Sequence, residues 1–300
     1  MFLNIAYITK VNIASLNGAE GSGGNITPIK KVSSYDGEEF VYVSGQALRH
    51  YLKETLFQLG ENIAEINEKG EPTFKVNGKY VNLDSKKEFD KYKKQVFKSV
   101  VDLDLFGYMF PNSYRRWSPV KVAPLLSLLP YKGEVDYLTR KQKGENKGGN
   151  IVQVEIDTLN FMRGNIVINL EHIGAIVDEF TYKKENILSE DEKKERINKL
   201  LEAIKNFNGG AKQARNLEDI APKFIVVTKQ QSANPFFLNA LKVDKNMNLD
   251  IAVLKEAIDE ADYKDLKIGL RSGIFNNEKE IRDNFEVVGI KEAIEYFKEK

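Results

Sequence analysis

Residues 44–60 read Ser-Gly-Gln-Ala-Leu-Arg-His-Tyr-Leu-Lys-Glu-Thr-Leu-Phe-Gln-Leu-Gly. Leu48, Leu52, Thr55, Leu56 and Leu59 recur at helical spacing and share one face, with Tyr51 at its margin. A serine oxygen can accept from the free amides of a first turn, so Ser44 reads as the N-cap. Gly60 suits the left-handed residue that closes a helix. The leucine face needs a sheet to bury against, and the flanking sequence supplies strands. Phe2 to Ser15 alternates, with Leu3, Ile5, Tyr7, Val11 and Ile13 on one face. The run Asn17-Gly18-Ala19-Glu20-Gly21-Ser22-Gly23-Gly24 is a loop. Ile26 to Val32 and Glu39 to Val43 follow as strands joined by a turn at Tyr35-Asp36-Gly37.

Downstream of Gly60, residues 61–83 read as an irregular insertion with a hairpin turn at Asn77-Gly78. Lys86 to Ser99 is a charged helix anchored by Phe89, Tyr92, Val96 and Phe97. An aromatic, basic stretch opens at Arg115-Arg116-Trp117-Ser118-Pro119. Lys141 to Gly149, polar and glycine-rich, lies between Val135–Tyr137 and the alternating Ile151, Gln153, Glu155, which predicts a long hairpin with a basic tip. Residues 164–170 form a central strand. Ser189 caps a helix through Ile197, Leu200, Leu201 and Ile204, ended by Asn208-Gly209-Gly210. A short helix then carries Lys212 and Arg215, and Lys223 to Thr228 is a strand. Asn248 caps a further helix, Leu266 to Leu270 is a strand, and a last helix begins at Ile290. Hairpins mixed with crossovers place the chain in the α+β class, on a plan resembling the split βαβ unit.

Composition narrows the function. The 300 residues carry a net charge of +1, so any nucleic-acid surface must be local. The absence of cysteine excludes disulfides, thiolate metal sites and cysteine nucleophiles. The first ten residues alternate, unlike a secretory signal, and no apolar run approaches a membrane span of roughly 20 residues. A cytoplasmic chain with no membrane contact is expected.

Opposite the leucines, Gln46, Arg49, His50, Lys53 and Phe57 fall on one stripe at about 100° per residue. Donors in a row from a helix N-terminus, with aromatics among them, can follow a phosphate backbone and stack a base. An ordinary solvated face is the alternative. Glu54 is placed off the stripe, which leaves the cations without acidic partners. Residues 208–215 offer two glycines, then Lys212 and Arg215 one turn apart, which lets amides and cations face a phosphate. Alternatively Gly209 only closes the preceding helix. Neither this segment nor Gly18–Gly24 has the spacing of a Walker or dinucleotide loop.

Asp102 and Asp104 could share one face of a strand, but with no third ligand nearby no metal is expected, and no cofactor. His172 reads as structural. His50 could serve as a general base toward a 2′-hydroxyl only with an acid partner that the sequence does not identify. The Arg115, Arg116 and Trp117 cluster and the Lys141–Gly149 tip suit an arm that reaches RNA or a neighbour, although the tip taken alone reads first as a disordered surface loop.

Several segments together resemble the backbone subunit of type I CRISPR Cascade complexes, in the DevR-type autoregulator group (type I-B-like) of the RAMP superfamily. They are residues 24–30 (Gly-Asn-Ile-Thr-Pro-Ile-Lys), 43–49 (Val-Ser-Gly-Gln-Ala-Leu-Arg), 104–107 (Asp-Leu-Phe-Gly), 118–121 (Ser-Pro-Val-Lys), and 209–212 (Gly-Gly-Ala-Lys) with Arg215. They fall in the family's order across most of residues 1 to 230.

The resemblance implies one RRM-like (ferredoxin-like) palm over 1–300, fingers at 61–110 and a protruding thumb β-hairpin at 119–155. By position, Gln46, Arg49, His50 and Lys53 match a phosphate-contacting helix, with Lys30 and Lys31 nearby, and Lys212 and Arg215 match a segment that also meets the guide. The implied partners are a CRISPR guide RNA, target DNA through base pairing with that guide, copies of the chain in a helical filament, and other Cascade subunits. The implied role is antiviral defence without catalysis. No aromatic strand motif for base stacking is present, so backbone contacts should dominate. Related type III subunits cut RNA with an aspartate near the first glycine loop, where this chain has only Glu20. Two competing readings are a metal-independent endoribonuclease that processes repeat RNA through His50, and a DNA-binding autoregulator.

Overall fold

The computed structural model describes residues 1–19, 26–68, 70–110, 112, 114–139, 151–178 and 180–299. The chain starts with β1 (Phe2–Ala14), β2 (Ile26–Thr27), β3 (Lys31–Ser33), β4 (Glu39–Val43) and α1 (Gly45–Gln58). An insertion carries β5 (Glu65–Ile66), β6 (Pro72–Val76), β7 (Lys79–Val81), α2 (Lys86–Ser99), α3 (Val101–Phe106), β8 (Tyr108–Phe110) and β9 (Tyr114–Arg116). Then come β10 (Val120–Val122), β11 (Leu125–Ser127), β12 (Val135–Thr139), β13 (Ile151–Glu155), β14 (Asp157–Asn169), β15 (Ala175–Val177), β16 (Lys184–Asn186) and α4 (Glu190–Lys205). The chain finishes with β17 (Phe224–Gln230), α5 (Ile251–Glu260), β18 (Asp265–Leu270), α6 (Glu278–Asn284), β19 (Val287–Val288) and α7 (Ile290–Glu295).

These make a mixed α+β fold on one nine-stranded sheet, ordered β19-β18-β17-β1-β14-β11-β4-β3, with β10 also on β14. β1 lies antiparallel between β14 and β17, with Ile5 opposite Ile166 on one side and Val227 on the other. Helices α1, α4 and α7 cover one face. There Leu48, Leu52 and Leu56 meet Leu200, Leu201, Ile204 and Ile294 over Leu3, Ile5 and Tyr7. Ser44 caps α1 by accepting from Ala47 N, and Ser189 caps α4 in a reciprocal box with Glu192.

The opposite face is also buried. Ala6, Ile8, Phe161 and Val226 lie under Phe237, Leu241, Leu254 and Phe275 from the C-terminal third. The one-faced alternation expected for β1 therefore fails: Leu3 to Ile8 are all buried, whereas Ile13 is 54% exposed beyond the cover. The buried polar residues of β1 are hydrogen-bonded to neighbouring segments of the chain. Asn4 donates to Asn234 O and accepts from Asn165, and Thr9 donates to Ala221 O.

Other expectations also change. Residues 101–106 form a helix, not a strand. Residues 211–216 make a turn and no helix. The helix after Asn248 is capped by Asp250 instead, through Val253 N. β10 and β11 belong to the main sheet, and the hairpin proper is β12 with β13, Val135 opposite Glu155. Its strand β13 also runs parallel to β2, Gln153 opposite Ile26. The basic tip 141–149 and the glycine run from Glu20 to Asn25 lie outside the described residues. Among the described residues no helix is long and apolar enough to cross a membrane.

Candidate nucleic-acid interface

A short segment after β1 organises the site. The carbonyl of Leu16 accepts from the Tyr51 hydroxyl at 2.6 Å. Asn17 Oδ1 accepts from Ser44 N at 3.0 Å, and Asn17 O accepts from Lys30 N at 2.9 Å. Ser15 O accepts from Ala211 N at 2.9 Å. Residues 15–17 thus hold the first turn of α1, the backbone of Lys30 and the glycine segment in one place. Sequence reasoning missed this hub, because each contact joins residues far apart in the chain.

The glycines have a packing reason. A Cβ on Gly209 would overlap the Tyr51 ring, and one on Gly210 would approach Leu16 to 3.3 Å while Gly210 sits at φ +130°. Asn208 exchanges hydrogen bonds with the Thr55 hydroxyl, N to Oγ1 and Oγ1 to O, both at 3.4 Å. Gly209 is therefore not the closing residue of α4, which ends three residues earlier at Asn206. Lys212 stands exposed at φ 58° just beyond this contact. Lys30 and Lys212 form no ion pair among the described residues. Arg215 turns instead to Asp136 at 3.1 Å and so ties the segment to strand β12 of the hairpin.

The α1 stripe divides. Gln46, His50 and Phe57 are exposed. Arg49 donates to Phe106 O and its guanidinium lies 5.8 Å from the Phe106 ring, where burial draws its pKa below the ordinary value. Lys53 pairs with the buried Asp102 at 2.8 Å, and Asp102 accepts from Ala64 N with its other oxygen. The expected absence of acidic partners is thus corrected. Glu54 is also one turn from His50, with Nε2 and Oε1 3.4 Å apart, because positions four apart differ by only about 40° around a helix. Between the stripe and the insertion lies a groove of about 420 Å³, with His50, Lys53, Phe57, Ile66 and Met109 on its walls.

Lys31 pairs with Glu155 at 3.1 Å and Glu39 at 3.6 Å and sits 4.5 Å over the Tyr131 ring, which fixes β3 to the hairpin base. Arg116 is corrected outright. It is 5% exposed, pairs with Asp104, and donates to Asp104 O, Ala175 O and His172 O. Arg196 holds the other Asp104 oxygen at 2.8 Å. Arg115 does not join the α1 cluster; it lies on β9, 5.4 Å over Trp117. Asp102 and Asp104 are spent on these pairs, and among the described residues no group of three or more acids or histidines could hold a metal.

No curated protein matches the chain. Many solved structures share its fold. One, described as a CRISPR RNA-guided surveillance complex, pre-nicking, has a chain aligned over 99% of this chain and 100% of its own, at 13% identity and a TM-score of 0.64. A chain of another, described as a CRISPR RNA-guided surveillance complex, aligns over 99% of both at 16% identity and a TM-score of 0.59. The family model for the CRISPR-associated negative auto-regulator DevR/Csa2 matches residues 5–247, more than two thirds of the chain, and the protein belongs to that CRISPR-associated family.

Proposed function

We propose that the chain is a non-catalytic, cytoplasmic subunit that binds a CRISPR guide RNA and repeats along it as the backbone of a Cascade surveillance complex. The observation that carries this reading is the single ridge made by the first turn of α1, Lys30 and the 209–212 segment, all fastened to residues 15–17. Lys30 and Lys212 offer cations there, and Gln46 an exposed donor. Such a ridge can hold a sugar–phosphate chain while leaving base edges free to pair with target DNA. Arg49 and Lys53 act behind it by joining α1 to α3, which differs from direct phosphate contact.

The strand order supports an RRM-like palm. β17-β1-β14-β10, with α1 and α4 on one face, follows the order of a split βαβ unit. In this reading the insertion at 61–110 is the fingers and the β12–β13 hairpin is the thumb. Fold likeness to chains of surveillance complexes is in keeping with other subunits as partners. Near-neutral net charge suits a filament, since strongly basic copies would repel one another.

The test is the salt dependence of single-stranded RNA binding. Lys30→Ala and Lys212→Ala should each flatten the slope of log K against log salt by about 0.7, evenly across sequences. Unchanged slopes would overturn the assignment. The endoribonuclease reading gains an acid partner in Glu54, but the pair is exposed at 65% and 55% with no further polar group bonded to it in the described residues. Cleavage of repeat RNA by wild type and not by His50→Ala would establish it. Preference for duplex DNA over single-stranded RNA would favour the regulator.

A further inference from the structure

The sheet face away from α1 and α4 is closed by Phe237, Leu241 and Phe275, but one corner stays open. There, at the start of β1 and the end of β14, a cavity of about 270 Å³ lies between Phe2, Trp117, Lys121, Val167, His172 and Tyr182. The register puts Lys121 opposite Val167, and Val167 opposite Asn4. Phe2, Lys121 and Val167 therefore share the face that RRM-like sheets use for stacking. The strands of this chain carry no stacking motif, yet the fold delivers aromatic rings to that corner from two loops. Trp117 and Tyr182 wall the cavity while remaining 67% and 81% exposed.

The lining includes a cation, Lys121, and a carboxylate, Asp178, whose Oδ1 accepts from Phe180 N, Thr181 N and the Thr181 hydroxyl. Lys121 is exposed and forms no ion pair among the described residues. Glu171, next to His172, is bound to the N-terminal ammonium at 2.6 Å. The Arg115 guanidinium stands 5.4 Å over the Trp117 ring. The volume falls just below the roughly 300–1,000 Å³ of pockets for drug-sized ligands. One planar ring system fits it better than an extended set of side chains, and the unpaired Lys121, beside a carboxylate already engaged by Thr181, favours a ligand carrying phosphate over a neutral peptide.

We propose that this corner is a stacking pocket for one unpaired base of a single-stranded nucleic acid, walled by Trp117 and Tyr182, with Lys121 on the adjoining phosphate. It is a second contact, on the sheet face opposite α1, and it does not depend on the guide-binding ridge.

Trp117 is the single tryptophan of the chain, so its emission reports on this pocket. The full chain, freed of nucleic acid at high salt, would be titrated with an adenine-containing trinucleotide and with its abasic counterpart. Saturable quenching is expected from the first only. It should weaken about 5- to 100-fold in Tyr182→Ala, an exposed site whose change should leave folding intact, and persist in the Lys30→Ala, Lys212→Ala double variant. Lys121→Ala should weaken it too. Equal response to the abasic oligonucleotide, no response to either, or indifference to Tyr182→Ala would overturn the proposal. So would a blue shift with protein concentration alone, which marks a second copy in the pocket. Loss in the double variant only would place the contact on the α1 ridge, overturning the pocket while sparing the guide reading.

Discussion

The ring of Tyr51 occupies the space in which Gly209 would carry a side chain, and its hydroxyl reaches past that glycine to the carbonyl of Leu16 at 2.6 Å. One residue of α1 thereby fixes two loops. Its ring sets the height of the 208–212 segment, and its hydroxyl sets the exit of β1. Because Asn17 holds both Ser44 N and Lys30 N, the positions of Lys30, Gln46 and Lys212 follow from the same contact.

Gly209→Ala should therefore act on structure and binding together. Backbone and ring must move apart, a form of overpacking that costs roughly 1–3 kcal/mol. Urea titrations should show a lower midpoint at unchanged slope, and RNA affinity should fall even where the variant is fully folded. Tyr51→Phe keeps the ring and removes only the bond to Leu16, so about 1 kcal/mol is expected. A Gly209→Ala variant as stable as wild type would contradict the close approach.

Arg116→Ala is expected to be among the most damaging single changes outside the hydrophobic clusters. Asp104 has no solvent exposure and lies between Arg116 and Arg196, while Gly174 N donates to both of its oxygens. Removing one partner from a buried pair costs about 3–5 kcal/mol. Arg116→Lys should recover little, because an ammonium cannot span Asp104, His172 O and Ala175 O at once. Thermal unfolding checks this. RNA affinity of the folded fraction should be unaltered, which separates a structural arginine from a phosphate contact.

Lys53→Ala should also weaken RNA binding, but through the fold. The side chain of Asp102 is 2% exposed and loses its cation, leaving Ala64 N as its hydrogen-bond donor. Lys53 is partly solvated, so roughly 1–3 kcal/mol is expected, less than for a fully buried pair. Adding Asp102→Asn should restore much of the stability. If RNA binding stays fully lost in a double variant that is as stable as wild type, Lys53 touches RNA directly.

Local chemistry made α1 legible from sequence. Ser44, the leucine spacing and Gly60 each act within one or two turns, and the Asn77-Gly78 turn is likewise set by its own residues, at φ 50° and 77°. What was hidden depends on distant chain. Arg116 looked like a surface arginine because its carboxylate partner is twelve residues away and the other cation, Arg196, is eighty away. β1 looked half-exposed because its second cover comes from residues beyond 233. Of the candidate site, the residue types were readable, but not which cations were already paired. Lys31, Lys53 and Arg215 find carboxylates at sequence distances that no spacing rule reaches.

Asp157 should give the chain a measurable pH dependence. It opens β14 opposite Ala14, is 2% exposed, and accepts from Thr158 N at 3.1 Å and Asn160 Nδ2 at 3.2 Å through one oxygen. Its other oxygen is buried with no hydrogen-bond partner among the described residues. Burial pushes its pKa up from 3.8 to about 6, against the smaller pull of those two donors. The folded state thus binds the proton more tightly than the unfolded chain, so stability falls as pH rises between these values and levels off above about 6. Exposed carboxylates with lowered pKa, such as Glu192 at about 2, tilt the curve the other way at lower pH, so the comparison must be with a variant. Relative to Asp157→Asn, wild type should lose about 2 kcal/mol between roughly pH 4.5 and 7.5 in urea titrations. Parallel pH profiles for the two proteins would mean that Asp157 keeps an ordinary carboxylate's affinity for its proton and that water reaches its second oxygen.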